Sequence, residues 1–330
     1  MTTQQDSIDV HVQTISIAAT DVYTFELRNA NGLELPSFEA GAHVELRMPG
    51  GLIRQYSLLN APGERQRYVI AVHRDPASRG GSKFMHETLR VGDRLKISIP
   101  RNNFRLDEGL HRTILVAGGI GITPLLSMIK RLEQLGREWI LHYASRTRRH
   151  AAFLESVQRY ESILPGRVRL HFDDEHEGRF LDIESAVRAG GRNAHFYCCG
   201  PSPMLSSFAR ATATLPTGQV HVEYFKSAPG ALWQSAISHQ QGTSFSVELQ
   251  KSGKTLRVPA GKSILDIALD AGIDVPFSCG EGFCGTCMVR VIEGTPDHRD
   301  TVLDGVERER GDVMMICCSR AVGDHLVIDL

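Results

Sequence analysis

Three thiols and three glycines fall within nine residues near the C-terminal end of the chain, in Cys279-Gly-Glu-Gly-Phe-Cys284-Gly-Thr-Cys287. A disulfide pair would leave one thiol over, and most structural zinc sites draw on Cys-x2-Cys pairs. The spacing C-x4-C-x2-C is that of a plant-type 2Fe-2S loop. The glycines favour the cluster over zinc or inert thiols. Inorganic sulfide is bulky and takes hydrogen bonds from backbone N–H groups, so the loop backbone must come close, which residues without a Cβ permit. A fourth sulfur is then required from elsewhere in the chain, and Cys317 and Cys318 are the nearest pair downstream.

A chain of 330 residues exceeds what one core usually supports, so two or three domains are expected. The net charge of −1, with no sustained Lys/Arg run, leaves no electrostatic footprint for nucleic acid. MTTQQDSIDV has neither a basic start nor an apolar core, so no signal peptide is expected. The longest apolar region, Thr113 to Ile129, is broken by Gly118, Gly119, Gly121 and Pro124, which suits a strand, turn and helix better than a membrane span. Seven cysteines, an odd count with none before Cys198, argue for a reducing compartment, and a cytoplasmic location is expected.

The hydrophobic period changes twice along the chain. From Ser7 to Pro100 short alternating runs such as VHVQTISI, VYTFEL and YVIAVHR predict an antiparallel barrel or sandwich. From Thr113, strands (TILVAGG, ILHYAS, VRLHF, HFYCCG, VHVEYF) take turns with helical runs (PLLSMIKRLEQL, FLESVQRYESIL, IESAVRA, PMLSSFARATATL), which predicts a mainly parallel sheet covered by helices. KSAPGALWQSAISHQQG has neither period and reads as a linker. From about Thr243 a hairpin, a short helix (SILDIALDAG), the cysteine loop and closing strands make an α+β unit. The expected bounds are 1–108 for the barrel, 109–227 for the α/β domain, 228–242 for the linker and 243–330 for the last domain.

Two features of the barrel segment matter together. In Arg54-Gln-Tyr56-Ser57-Leu58 the strand period puts Arg54 and Tyr56 on one face. In Arg79-Gly80-Gly81-Ser82, glycines expose N–H groups, Ser82 is suited to cap a helix, and the positive helix end with Arg79 would hold a phosphate. An ordinary edge strand and an ordinary turn are the plain alternatives. Downstream, Gly118-Gly119-Ile-Gly121-Ile-Thr123-Pro124 runs from a strand into a helix, with Thr123 suited to cap it and Pro124 to its first turn. It is not G-x-G-x-x-G, yet it offers the same bare donors at a helix N-terminus to a pyrophosphate. Cys199-Gly200-Pro201 ends a second strand in the same way.

These motifs, with Glu223-Tyr-Phe225, the cysteine loop, Gly294-Thr-Pro-Asp-His-Arg-Asp300 and Cys317-Cys-Ser-Arg320, stand in an order that resembles the phthalate dioxygenase reductase and vanillate O-demethylase reductase family over nearly the whole chain. The resemblance implies an FMN-binding barrel, an NAD domain and a C-terminal β-grasp ferredoxin domain. Carried over by position, it has Arg54, Tyr56 and Ser57 lining the flavin ring, Arg79, Gly81 and Ser82 near its phosphate, and Cys199 near the nicotinamide. Phe225 would stack on the flavin until nicotinamide displaces it, so that Ser57, Cys199 and Phe225 surround the reacting atoms. The resemblance adds His73, Ser145, Arg146, Gly200, Pro201 and Met204 to the residues that contact flavin or nucleotide. It picks Cys317 as the fourth cluster ligand with Cys279, Cys284 and Cys287, because relatives place valine or cysteine at the second position. Adjacent side chains of a strand MMICCSR would point oppositely, so one thiol only could face the cluster. Gly280 departs from relatives, which often carry a larger polar residue there.

The order of parts implies a converter of two electrons into single ones, running from NADH through FMN and 2Fe-2S to a partner. Plant-type clusters lie near roughly −400 mV and Rieske centres at about −150 to +300 mV, so a Rieske-type oxygenase is the expected partner. A di-iron or cytochrome acceptor, or a non-enzymatic redox sensor, are the competing readings. Arg146, Arg148 and Arg149 could greet a 2′-phosphate, although NADH is the expected reductant. Electron exit is expected at the cysteine loop from Glu281 to Thr286.

Overall fold

A computed structural model describes residues 7–78, 80–109, 112–225, 244–273, 275–277, 280, 282 and 285–330. The chain divides into two compact units, Met1–Phe225 and Lys226–Leu330. The linker expected at 228–242 lies outside the described residues.

In the first unit, β1 (Ser7–Ala19), β2 (Val22–Asn29), β3 (His43–Arg47), β4 (Ile53–Ser57), β5 (Tyr68–His73) and β6 (Arg94–Ser98) form one antiparallel sheet in the order β4-β3-β6-β1-β2-β5. Alternate residues, among them Val10, Val12, Phe25, Leu27, Val44 and Leu46, face a shared apolar core. At the two ends of that order β4 meets β5, and Leu59 N–H donates to the Val69 carbonyl at 3.0 Å, so the sheet curls into the expected barrel. A helical turn, α1 (Gly81–Lys83), continues as a π-turn over Phe84–Thr88.

Beyond Arg112 the strands carry unbroken apolar runs, as sheets covered on both faces do. The strands β7 (Arg112–Gly118), β8 (Glu138–Ser145), β9 (Val168–Phe172), β10 (His195–Cys199) and β11 (Val220–Glu223) are parallel, in the order β11-β10-β7-β8-β9. One face packs on α2 (Ile122–Gln134) and α3 (Leu154–Ile163), the other on α4 (Ile183–Gly190) and α5 (Ser202–Thr212). The chain order reverses between β7 and β10, which is where open α/β sheets bind ligands. Val22, Ala40, Leu59, Ala71 and Phe104 of the barrel share one core with α2, and the half-buried Lys130 ammonium of α2 donates to the Leu59 carbonyl at 2.8 Å.

In the second unit the sheet order is β13-β12-β16-β14-β15. The hairpin β12 (Phe245–Leu249) and β13 (Lys254–Val258) is joined by β16 (Arg320–Ile328), parallel to β12 and antiparallel to β14 (Met288–Asp297). The helix α6 (Ile264–Asp270) starts in a capping box of Ser263 and Asp266 and buries Ile264, Leu265 and Ala268 in the core. This mixed sheet crossed by a helix is the β-grasp expected. One element was not expected, α7 (Gly305–Arg310), and the strand expected over MMICCSR is the three-residue β15 (Val313–Met315). One expectation is overturned here. Ile316 to Cys318 is a turn and not a strand, because β15 ends at Met315, so strand alternation does not separate the two thiols and both are buried.

Candidate functional site

Two glycine turns interlock at the sheet's switch point. A Cβ on Gly118 would lie 2.5 Å from Pro201 Cδ and 2.8 Å from Met204 Sδ; one on Gly121 would lie 2.1 Å from the Cys199 carbonyl oxygen; one on Gly200 would lie 2.6 Å from Met204 Sδ. Gly118, Gly121, Cys199, Gly200, Pro201 and Met204, read separately from the sequence, are thus brought together. Gly119 has φ +53° and open space beside it. The helix α2, 13 residues long, points its N-terminus into this crevice, where bare N–H groups and the positive helix end suit a pyrophosphate.

The capping roles expected of Thr123 and Ser82 are corrected. The residue at the start of α2 is Gly121, with no side-chain cap. Thr123 sits inside the first turn, 2% exposed, and its hydroxyl donates to the Ile120 carbonyl at 3.1 Å. The glycine turn is tight enough to begin the helix two residues earlier, which leaves Thr123 and the buried Pro124 to brace the turn from behind. At α1 the cap is Gly80, φ +103°, again without a side-chain bond, and Ser82 Oγ instead accepts from Asp75 N–H at 3.1 Å. Only a glycine holds that φ readily.

Of the expected flavin residues, the barrel brings Arg54 and Gly81 together. Arg54 lies along Gly81, whose Cβ would meet Arg54 Cγ at 2.7 Å and Nε at 3.0 Å, so a guanidinium and the start of α1 converge. Tyr56 shares its face of β4, and burial pushes its phenol up. Ser57 is buried on the opposite face, and His73 ends β5 opposite Val22. Arg79 lies outside the described residues. At the end of β8, Ser145 is buried and Arg146 exposed. Arg148 is committed elsewhere, with its guanidinium 2.5 Å from Glu175 and stacked over Phe172 at 4.6 Å.

Cys199 is fully buried at the end of β10, and desolvation, with Glu223 and Cys198 nearby, pushes its thiol well up. Phe225, just past β11, is 36% exposed and does not close the core as a plain strand-end aromatic would. Sequence reasoning gave no role to Glu223, which lies opposite Cys199 in the β11–β10 register. Desolvation pushes its carboxyl up to about 8. Between its ordinary value and that figure the folded chain holds a proton the unfolded chain has lost, so stability should fall as pH rises through this window. We expect Glu223→Gln to flatten that slope in urea melts taken from pH 5 to 8; an unchanged slope would show that Glu223 does not cause it.

In the second unit, Cys287 and Cys317 share one core, and Ile316 N–H donates to the Cys287 carbonyl at 3.3 Å, so the two cysteines stand on neighbouring backbones. Cys318 packs against the loop glycine Gly282. Its Sγ lies 3.8 Å from both the Met315 carbonyl and Ser319 Oγ, and 2.5 Å from where a Cβ on Gly282 would stand. Gly282 has φ +79°, and its carbonyl accepts from Thr301 N–H at 2.8 Å. Cys279, Glu281 and Cys284 lie outside the described residues.

Comparison with known proteins agrees with this geometry. A 2Fe-2S iron-sulfur cluster binding domain matches residues 247–322, and an oxidoreductase NAD-binding domain matches 115–210. Tetrachlorobenzoquinone reductase of Sphingobium chlorophenolicum is 43% identical over 331 residues, covering 100% of both chains. Phthalate dioxygenase reductase of Burkholderia cepacia is 39% identical over 333 residues, again 100% of both. The chain belongs to the phthalate dioxygenase reductase family. Among solved structures the reductase resembles an intact type IV self-sufficient cytochrome P450 monooxygenase, with TM-score 0.86 and 38% identity over 98% of this chain and 41% of that one. Other relatives are named phenoxybenzoate dioxygenase subunit beta, vanillate O-demethylase oxidoreductase and phthalate 4,5-dioxygenase oxygenase reductase subunit.

The reductase is an electron-transfer oxidoreductase of the kind that serves oxygenase systems, with a 2Fe-2S cluster binding domain and an NAD-binding domain, and the family resemblance implies FMN beside them. Its residues fit that set: two thiols held on neighbouring backbones beside a glycine turn for the cluster, a guanidinium against a glycine helix start for a flavin phosphate, and the interlocked turns for the dinucleotide. No helix among the described residues is long and apolar enough to cross a membrane.

Proposed function

We propose that this chain is the reductase component of a Rieske-type oxygenase, acting in the cytoplasm, with the domain bounds 1–108, 109–227 and 243–330. The observation that carries this reading is one chain joining a nucleotide crevice at a sheet switch point to a C-x4-C-x2-C ferredoxin loop. When bound, the flavin and the cluster split one two-electron hydride into two single electrons. In this reading Arg54, Arg79, Gly81 and Ser82 hold the flavin phosphate, while Tyr56, Ser57 and His73 border its ring. Gly118 to Gly121 with Cys199 to Met204 seat the nucleotide, Ser145 and Arg146 its ribose, and Phe225 gives way to the nicotinamide. Cys279, Cys284, Cys287 and Cys317 hold the cluster. The chain needs no general acid or base for hydride entry, only exclusion of water and close stacking.

A second reading keeps the same chain and changes the acceptor. Likeness to the self-sufficient cytochrome P450 monooxygenase favours a haem acceptor, and the quinone reductase relative favours a small molecule. Offering purified Rieske oxygenases, a P450 and a quinone in turn, and following NADH loss, separates these. Isolated chain with NADH should reduce artificial acceptors yet leave vanillate, phthalate and carnitine unchanged.

Arg148 bears on nucleotide choice. Its guanidinium is already paired with Glu175, which leaves a 2′-phosphate fewer free donors. The expected outcome is a kcat/KM for NADH about tenfold or more above that for NADPH, a difference of about 1.4 kcal/mol in transition-state binding. A ratio favouring NADPH would overturn it, and Glu175→Gln should narrow it.

A further inference from the structure

Where the barrel closes, one backbone hydrogen bond is replaced. Leu59 N–H donates to the Val69 carbonyl at 3.0 Å, and in an antiparallel pair the Val69 N–H would return a bond to the Leu59 carbonyl. It donates instead to Asn60 Oδ1 at 2.9 Å, while Asn60 Nδ2 donates to the Arg67 carbonyl at 3.1 Å. The Asn60 side chain thus takes the place of one backbone partner and leaves the Leu59 oxygen over. Leu59 and Asn60 are both buried, and a buried carbonyl needs a donor. Lys130 of α2 supplies it, its ammonium reaching that oxygen at 2.8 Å from 71 positions down the chain.

A lysine is costly in this place. Its neighbours Met128 and Ile129 are fully buried, in a core shared with Leu59, Val22 and Ala71. Burial pulls the ammonium below the ordinary lysine range, with Glu64 acting against that and Arg67 adding to it. An apolar side chain would avoid the cost and strand the Leu59 carbonyl. The two ends of the bond lead to the two halves of the site. Leu59 follows the end of β4, the strand of Arg54 and Tyr56. Lys130 stands on α2, whose first residue, Ile122, adjoins the crevice at Gly121. The eight steps from Ile122 to Lys130 span about 12 Å of stiff helix, so a bond at Lys130 fixes the direction in which the crevice faces the barrel. Arg131 acts elsewhere, holding Glu108 of the connecting segment by two bonds of 2.7 Å at the surface.

We propose that Lys130 is a positioning residue for hydride transfer, a strut from the nucleotide helix to the barrel seam that sets how closely the nicotinamide approaches the flavin. This rests on the reading that places the flavin at Arg54 and Tyr56 and the nucleotide at the start of α2. Lys130 touches neither and moves no proton. It acts by holding two parts of one unit at a fixed angle, and a reaction between two stacked rings is steep in their separation. The seam is opened at Asn60 to admit it, which ties the barrel to the helix at the strand that carries the flavin residues.

The test is Lys130→Met, which keeps the apolar stem and drops the donor. In anaerobic rapid mixing of the flavin-loaded protein with NADH, the limiting rate of flavin reduction should fall about tenfold or more, while the NADH concentration giving half that rate stays within about twofold, because the crevice itself is untouched. Deuterium at the transferred position of NADH should slow the variant further, which marks the hydride step as the one that fell. Arg131→Gln, losing a surface ion pair of the same helix, should keep its limiting rate within about twofold of the wild type. A limiting rate unchanged in Lys130→Met, lowered without an isotope effect, or lowered equally in Arg131→Gln would overturn the proposal. Arg54→Gln tells this failure from failure of the underlying reading, for flavin held there as tightly as in the wild type means that it does not lie along β4. Should Lys130→Met not fold, Lys130→Arg decides: it keeps a donor for Leu59 and lengthens the strut, so the limiting rate should still fall at unchanged half-saturation, and a wild-type rate would contradict.

Discussion

Cys317→Ser should abolish the visible cluster absorbance and with it NADH-dependent reduction of one-electron protein acceptors, while Cys318→Ser should keep both. Plant-type clusters are held by four thiolates, and a serine oxygen is a harder and weaker ligand for iron in such a cluster. The choice between two adjacent buried thiols rests on what lies beside each. Cys317 follows Ile316, whose N–H is bound to the carbonyl of Cys287, so it stands beside the last thiol of the cysteine loop. Cys318 is lodged beneath Gly282, its Sγ close to the Met315 carbonyl and Ser319 Oγ. It supports the loop from below, and a serine there fits the same space. Iron and sulfide analysis with visible absorbance of both variants checks this, and loss of the cluster in Cys318→Ser with retention in Cys317→Ser would reverse the assignment.

Gly121→Ala should cost both stability and hydride entry. Its Cβ would stand 2.1 Å from the Cys199 oxygen, 2.5 Å from that carbonyl carbon and 2.9 Å from Gly200 N, all backbone atoms of the facing turn. Neither turn can yield by rotating a side chain, so β7 and β10 must part at their C-terminal ends. Overpacking of this kind costs about 1–3 kcal/mol, and here it also opens the crevice that seats the nucleotide. Gly119→Ala is the control, since its Cβ meets open space and only the positive φ opposes it, at about 1–2 kcal/mol. Urea midpoints should fall in both variants. NADH KM should rise steeply in Gly121→Ala alone, and an unaltered KM and midpoint there would mean the two turns do not lock as described.

Much of this was legible because the signals are local. The alternating runs of the barrel, the apolar runs from Thr113 and the short helical run SILDIALDAG each name their element without help from distant residues. The glycine turns were also legible, but not their interlock, which depends on strand order bringing Gly121 against Cys199 across 78 positions of chain. Ser82 and Thr123 were misread for a related reason. A capping residue type predicts a cap only if the backbone begins its helix there, and in both places a glycine begins it earlier. The burial of His43 was invisible because a histidine in an alternating run reads as a solvated face. That burial comes from strand pairing and cover, neither of which periodicity carries. The three-residue β15 is below the length at which any period can be counted.

The central claim is that this chain passes electrons from NADH, one at a time, to a Rieske-type oxygenase. Mixing the loaded reductase and NADH with an oxidised Rieske oxygenase in the absence of oxygen, and following the Rieske absorbance, tests it directly. The account predicts that the Rieske centre bleaches with two equivalents reduced per NADH, and that Cys317→Ser stops the bleaching while ferricyanide reduction continues. A panel of Rieske oxygenases that all stay oxidised, beside a haem protein or a quinone reduced rapidly under the same conditions, would contradict it.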